Sequence, residues 1–290
     1  MLKKLISALL FLICILSLVA CATGNGGGKP SLPPVTTVGL PKKETVSTNY
    51  ESEGFVINIY QTYAEIVEYK GKEAEVTVPD SFMGLPVKSL CEYAFFGNET
   101  LTKVTLPDQL IVIGKGAFQD CSALTEVVLG DHVEVISQAA FRDSALEKIN
   151  LPDTIAEIDR YAFYRTHITE LKLPASLTTV MKYAFYGCEY LTTVQFSERI
   201  ETVSEYAFAA CKSLTSVVIT DRVETLGDYV FSDCTALSKI FIPKKTMIGE
   251  NPFLGCPSIT IYSPSGSRAK GVADRYGYAF TECKSADKMP

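Results

Sequence analysis

The chain has 290 residues, of which 47% are hydrophobic, and carries a formal net charge of −6. That apolar fraction excludes a disordered chain and suffices for a continuous core. An acidic chain without a basic cluster is a poor ligand for nucleic-acid backbone, and two histidines in the whole sequence leave little material for His-based catalysis or a His-rich metal site.

Residues 1–20 read as a targeting leader. Lys3 and Lys4 form a positive region, Leu5 to Leu16 an apolar run broken only by Ser7, and Leu18-Val19-Ala20-Cys21 follows. This order resembles a bacterial lipobox, which implies cleavage before Cys21 and lipidation of its thiol; the alternatives are an ordinary secretory signal and an uncleaved anchor. Several acyl chains on Cys21 give stable membrane attachment, where a single chain gives only marginal binding. Loss of Lys3 and Lys4 leaves 25 basic residues (27 − 2) against 33 acidic ones, a net charge of −8. Residues 21–49 read as a flexible tether, with Gly24, Gly26, Gly27 and Gly28 followed by Pro30, Pro33, Pro34 and Pro41. The stretch Gly26-Gly27-Gly28-Lys29-Pro30 is no phosphate loop, because Pro30 stands where a metal-binding hydroxyl is needed.

Residues 50–90 are expected to form an N-terminal β cap. Phe55–Tyr60, Ala64–Tyr69 and Glu75–Val78 are strand-like, with Gly71 and Lys72 at a turn. A cap of this kind covers the first turn of a repeat stack, which would otherwise expose an open strand edge.

Residues 91–258 repeat one phrase, clearest in Tyr183-Ala184-Phe185-Tyr186-Gly187-Cys188. Its anchor recurs at Phe95, Phe118, Phe141, Phe163, Phe185, Phe208 and Phe231, at intervals of 22 or 23 residues, with a Pro252-Phe253 variant. Such a period falls in the window of leucine-rich repeats. A unit this short cannot bury its own apolar side and is stable only when stacked. The apolar string Phe118, Leu124, Val127 and Leu129 ends on a spacing of two, which predicts a strand with alternate residues inward. The fold class expected is therefore a leucine-rich-repeat solenoid, mainly β with parallel stacked strands, a β N-terminal cap and a short helical C-terminal cap. That last cap occupies residues 259–290. Ser267 is placed to cap a helix running to Asp274 or Arg275, while Glu282 to Pro290 is polar and expected to fray.

The unit Tyr-Ala-Phe-x-x-Cys-x-x-Leu-x-x-Val-x-Leu-Pro, with the entry Gly84-Leu85-Pro86-Val87 and the exit Ser265-Gly266-Ser267, resembles the BspA-like leucine-rich repeats of bacterial surface proteins. The resemblance spans about Tyr50 to Phe280. It implies a surface or secreted protein, of a family some of whose members are adhesins for host matrix or other bacteria, and no catalytic residues to carry over. Ser144 and Thr166 depart from it by replacing the repeat cysteine.

Phase disposes of most of the tempting chemistry. Cys121, Cys188, Cys211, Cys234 and Cys256 each lie three residues after an anchor phenylalanine, in the slot filled elsewhere by Asn98, Ser144 and Thr166. A column of parallel side chains favours neither disulfides nor tetrahedral zinc, so buried free thiols are expected, with Cys91 and Cys283 also free. His132 and His167 occupy different slots and do not converge on a catalytic point. No cofactor, metal or enzymatic activity is expected. Tyr161, Tyr183, Tyr206 and Tyr229 precede the Ala-Phe pair or its equivalent in four consecutive copies, which reads as a packing column or a glycan-binding strip.

The outward strand positions are the candidate partner-binding residues: Lys103 and Thr105, Glu126 and Val128, Lys148 and Asn150, Glu170 and Lys172, Thr193 and Gln195, Ser216 and Val218, Lys239 and Phe241. They vary between copies where the inward positions do not. Val128, Val218 and Phe241 are apolar where exposure is expected, and such residues can anchor an interface. The reading is a lipid-anchored cell-envelope protein that binds a host-matrix or bacterial surface protein through its sheet face. The alternatives are an envelope scaffold and a glycan-binding module.

Overall fold

The structure is a computed structural model that describes Leu40 and residues 44–289. The chain divides into two units, residues 1–35 and 36–290, and every described residue belongs to the second. The leader and Cys21 lie outside the described residues, as does most of the 21–49 segment.

The cap opens with β1 (Thr45–Ser52), β2 (Phe55–Tyr60) and β3 (Ala64–Tyr69), which form an antiparallel meander. The tether boundary at residue 49 is thus corrected: β1 begins at Thr45, because its backbone finds partners along β2 from Tyr60 to Phe55. Next come β4 (Glu75–Thr77), β5 (Ser81–Phe82) and β6 (Leu85–Leu90). Here the chain changes to coils, and two parallel ladders start. One begins at β4 and continues through Lys103–Thr105, Glu126–Val128, Lys148–Ile149, Glu170–Lys172, Thr193–Gln195, Ser216–Val218, Lys239–Phe241, Thr260–Ser263 and Ala279–Glu282. The second begins at β3, which pairs parallel with β6, and continues through Val112–Ile113, Val135–Ile136, Glu157–Ile158, Thr179–Val180, Thr202–Val203, Thr225–Leu226 and Met247–Ile248. Pairing is one coil to the next, as in Lys103↔Glu126 and Val135↔Glu157.

Each coil is organised by its phenylalanine. All eight rings, from Phe95 to Phe253, are buried. They stack coil on coil with centroids 4.8 Å apart at Phe95–Phe118, 5.2 Å at Phe163–Phe185 and at Phe185–Phe208, and 6.1 Å at Phe231–Phe253. The residue before the ring ties its coil to the preceding one through its carbonyl, whether that residue is Ala, Val230 or Pro252. Phe118 N–H donates to Ala140 O at 2.7 Å, Phe163 to Ala184 at 2.8 Å and Phe185 to Ala207 at 2.9 Å. Burial of a ring and satisfaction of a backbone donor are therefore achieved by the same two residues.

The turn around each ring uses the left-handed region twice. The residue two before the phenylalanine has positive φ at Tyr93, Tyr161, Tyr183, Tyr206 and Tyr229, and so does the residue two after it at Asp120, Asp143, Arg165 and Asp233. Non-glycine residues seldom adopt this conformation. Gly116, at φ 59° in the tyrosine slot of its coil, shows what the backbone asks for there. The tyrosines offset the strain by stacking: Tyr161–Tyr183 centroids lie 5.0 Å apart, and Tyr183–Tyr206 and Tyr206–Tyr229 4.9 Å.

One junction is different. No strand pairing joins Lys148–Ile149 to Glu170–Lys172, or Glu157–Ile158 to Thr179–Val180, so both ladders are interrupted between the same two coils. The turn ladder is not interrupted there: Ala139 N–H donates to Arg160 O, Phe141 to Ala162 and Asp143 to Tyr164. These two coils are held together by their phenylalanine turns and by core packing. The first ladder has a further gap between Thr193–Gln195 and Ser216–Val218.

The stack ends on α1 (Arg268–Tyr276), close to the expected helix, which buries Ala269 and Ala273 and terminates at Gly277 in the left-handed conformation. Ser267 holds the N-cap position without a side-chain cap hydrogen bond. The expectation of a frayed tail is corrected. After Ala279–Glu282 adds a parallel strand to Thr260–Ser263, Cys283, Ala286 and Met289 fold back over Phe241 and Tyr262. Two large rings on the sheet face give the tail an apolar surface to cover. Among the described residues, no helix is long and apolar enough to cross a membrane.

Candidate protein-binding face

The first ladder presents its central residues to the core and its flanking residues outward, as a period of two dictates. Val104, Val127, Leu171, Val217 and Ile240 are buried, while Ile149 and Val194, beside the ladder's gaps, are only partly so. Of the flanking candidates, Lys148, Asn150, Glu170, Lys172, Thr193, Gln195 and Ser216 are exposed and Lys103, Thr105, Glu126 and Lys239 half-buried. Val128 and Val218 are each 39% exposed. Phe241 departs from expectation: it is 4% exposed beneath the C-terminal tail, so it is no open apolar anchor.

The candidates form two columns. In the first, Lys103, Glu126, Lys148 and Glu170 alternate in sign from coil to coil. Lys103 Nζ and Glu126 Oε1 make an ion pair of 2.8 Å. The hydrogen bond from Lys103 holds the Glu126 carboxyl below its usual range, and Lys148 pushes the same way; Lys103 is raised in return by Glu126. This column largely satisfies itself across the strands. The second column, Thr105, Val128, Asn150, Lys172, Gln195 and Val218, mixes polar, cationic and small apolar groups. Hollows of about 620 and 450 Å³ lie on either side of the interrupted pairing at Ile149 and Glu170.

Away from this face the repeat chemistry is structural. No disulfide joins any of the seven described cysteines. The thiols bridge coils: Cys121 Sγ–H donates to Phe95 O at 3.1 Å, Cys188 to Phe163 O at 3.2 Å, Cys211 to Phe185 O at 3.3 Å, Cys234 to Phe208 O at 3.1 Å and Cys256 to Phe231 O at 3.2 Å. Where the slot holds Ser144 or Thr166, the hydroxyl donates within its own coil, to Phe141 O and Phe163 O. In these copies the slot holds a small donor; Asn98 fills it as an acceptor instead, its Oδ1 taking the N–H groups of Thr100 and Leu101. Burial pushes the Cys121 and Cys188 thiols up to about 12. His132 is exposed, with Nδ1 3.1 Å from Asp108 O, and His167 meets Tyr190 edge to face on another coil. Among the described residues, no group of three or more His, Cys, Asp or Glu side chains is placed to hold a metal ion.

The profile of the BspA type leucine-rich repeat region (6 copies) matches residues 72–167 and 156–287. The chain belongs to that family. No curated protein matches the BspA-type chain. Among solved structures it is similar to a leucine-rich repeat protein from Bacteroides ovatus, at 19% identity over 81% of this chain and 76% of that one, with a TM-score of 0.49. It is also similar to a leucine-rich repeat protein from Bacteroides capillosus, at 25% identity over 53% of this chain and 98% of that one, TM-score 0.36. A leucine-rich cell surface protein from Faecalibacterium prausnitzii matches at 18% identity over 85% and 97%, TM-score 0.34. The two profile matches overlap at residues 156–167, within the two coils whose ladders part.

Proposed function

We propose that this BspA-type repeat protein is anchored in the bacterial envelope by lipid on Cys21 and binds another protein through the outer column of its first ladder, as an adhesin for host matrix or neighbouring cells. The observation that carries the binding reading is where that column is covered and where it is open. At its C-terminal end the tail shields Phe241 and Tyr262. Among the described residues no such apolar cover is packed over Val128 or Val218, each 39% exposed on a column that also carries the cationic Lys172 and the polar Asn150 and Gln195. Strands stacked about 4.8 Å apart carry this column across six coils, a span of about 25 Å, within the scale of a standard protein interface. Many anchored copies add avidity to a modest single-site affinity.

The order of charge, apolar run, small residue and Cys21 supports the anchor. The test has two arms. Cys21→Ala should abolish incorporation of a labelled fatty acid and release the protein from membranes; retained label excludes Cys21 as the lipid site. In the full chain, Val128→Asp with Lys172→Glu should lower capture by immobilised matrix proteins at least tenfold. Unchanged capture moves the interface elsewhere.

A further inference from the structure

Two consecutive turns are one residue short. Between the Cys-slot residue and the buried leucine or isoleucine, most coils carry two residues, as in Ser122-Ala123 and Glu189-Tyr190, but the coils of Phe141 and Phe163 carry one, Ala145 and His167. Their neighbours therefore project further, and the side of the stack is notched. The notch is a recess of about 410 Å³, walled by Ser122 at one end and by Glu189 and Tyr190 at the other. Asp143 and Arg165 line it together with His167.

The walls are fixed. Asp143 and Arg165 both stand in the left-handed conformation, at φ 54° and 55°, and their N–H groups donate to Tyr164 O and Tyr186 O, each at 2.8 Å. Arg165 has room because the next coil carries Gly187; a Cβ there would come within 3.0 Å of Arg165 Cγ. On the floor, the Ser144 and Thr166 hydroxyls are occupied by Phe141 O and Phe163 O. At the far wall the His167 and Tyr190 rings meet edge to face, with centroids 4.9 Å apart, and Tyr190 remains 56% exposed.

We propose that this recess is a binding site for a neutral saccharide, with Tyr190 as the stacking platform and Asp143 and Arg165 as the hydroxyl-binding pair. Charge gives an ionic ligand little to hold. Arg165 Nε lies 3.7 Å from Asp143 Oδ1, Arg142 Nε 3.0 Å from Asp143 Oδ2, and Glu189 is paired with Lys212 at 2.8 Å, so both carboxylates are already paired and the surplus is one positive charge, divided between two arginines that share Asp143. A carboxylate and a guanidinium side by side offer planar acceptors and donors that match vicinal hydroxyls, and an exposed ring accepts the apolar face of a pyranose. Backbone decides against an extended peptide, because the wall amides are already bonded to the next coil. The volume falls within the range of small-molecule sites. The recess is separate from the outer column of the first ladder, and it straddles the two coils whose ladders are unpaired.

The test is saturation-transfer NMR and calorimetry on the full chain with lactose, cellobiose, maltotriose and chitobiose. At least one should bind. Tyr190→Ala should then weaken it at least tenfold, with Tyr229→Ala on the tyrosine column leaving it unchanged. Insertion of one Ser after Ser144 and one after Thr166, which restores the usual turn length, should abolish binding while circular dichroism stays that of the parent. Absence of binding to all four sugars overturns the proposal. So does binding that survives both Tyr190→Ala and the insertions.

Discussion

Phe185→Ala tests the stacking of the coils. The ring is fully buried and lies between Phe163 and Phe208, 5.2 Å from each and within 5° of parallel to both. An aromatic side chain buries about 150–250 Å². At about 25 cal/mol per Å² that is about 4–6 kcal/mol, of which alanine keeps about 1. The area figure is an upper bound because the unfolded chain already buries part of the ring, and the cavity left between two coils offsets that reduction, so about 3–5 kcal/mol is expected. Stability in a stack of coils is a sum of units and interfaces, and this substitution damages two interfaces at once. Phe253→Ala, at the end of the column with Phe231 6.1 Å away, should cost less. Urea unfolding of the full chain carrying Cys21→Ser, followed by circular dichroism and tyrosine fluorescence, gives both values, there being no tryptophan. A loss under about 1 kcal/mol for Phe185→Ala would refute a shared phenylalanine core.

Other outcomes follow from the same geometry. The amides of Glu170 and Lys172 should exchange hydrogen faster than those of Glu126 and Val128, whose strand is paired on both sides; equal protection would mean the ladder is closed at that junction. At pH 8, iodoacetamide should label half-buried Cys91 well before Cys121 or Cys188. Because the folded thiols of Cys121 and Cys188 are pushed up to about 12, their contribution is whole below the unfolded value of about 8.5 and is lost as pH rises from there. Stability should therefore fall between about pH 9 and 11, and less steeply in Cys121→Ser; a flat profile counts against the burial of these thiols. Deleting residues 283–290 should uncover Phe241 and Tyr262 and raise binding of a hydrophobic dye; an unchanged signal would show that the tail does not cover them.

The period of the phenylalanines carried the fold in the sequence, because a coil must repeat its inward residues to share a core. The strands of the first ladder and α1 followed from spacings of two and of three or four. The second ladder did not, since strands such as Val112–Ile113 and Thr225–Leu226 are two residues long and too short to show alternation. Left-handed tyrosines were not legible either: side-chain stacking overrides the preference of a bulky residue for negative φ. Phe241 misled because its cover comes from Cys283, Ala286 and Met289, some forty residues away in a polar segment. The recess at Arg165 and Tyr190 was visible only as two consecutive intervals of 22 residues, from Phe141 to Phe185, whose consequence depends on neighbours of 23.

The most direct measurement places a photo-cross-linking side chain at Gln195, on the first ladder, and at Thr202, on the second, in the intact anchored protein presented to matrix proteins. Adducts from Gln195 and none from Thr202 are the result expected of a sheet face that recognises a protein. Adducts from Thr202 alone would contradict it.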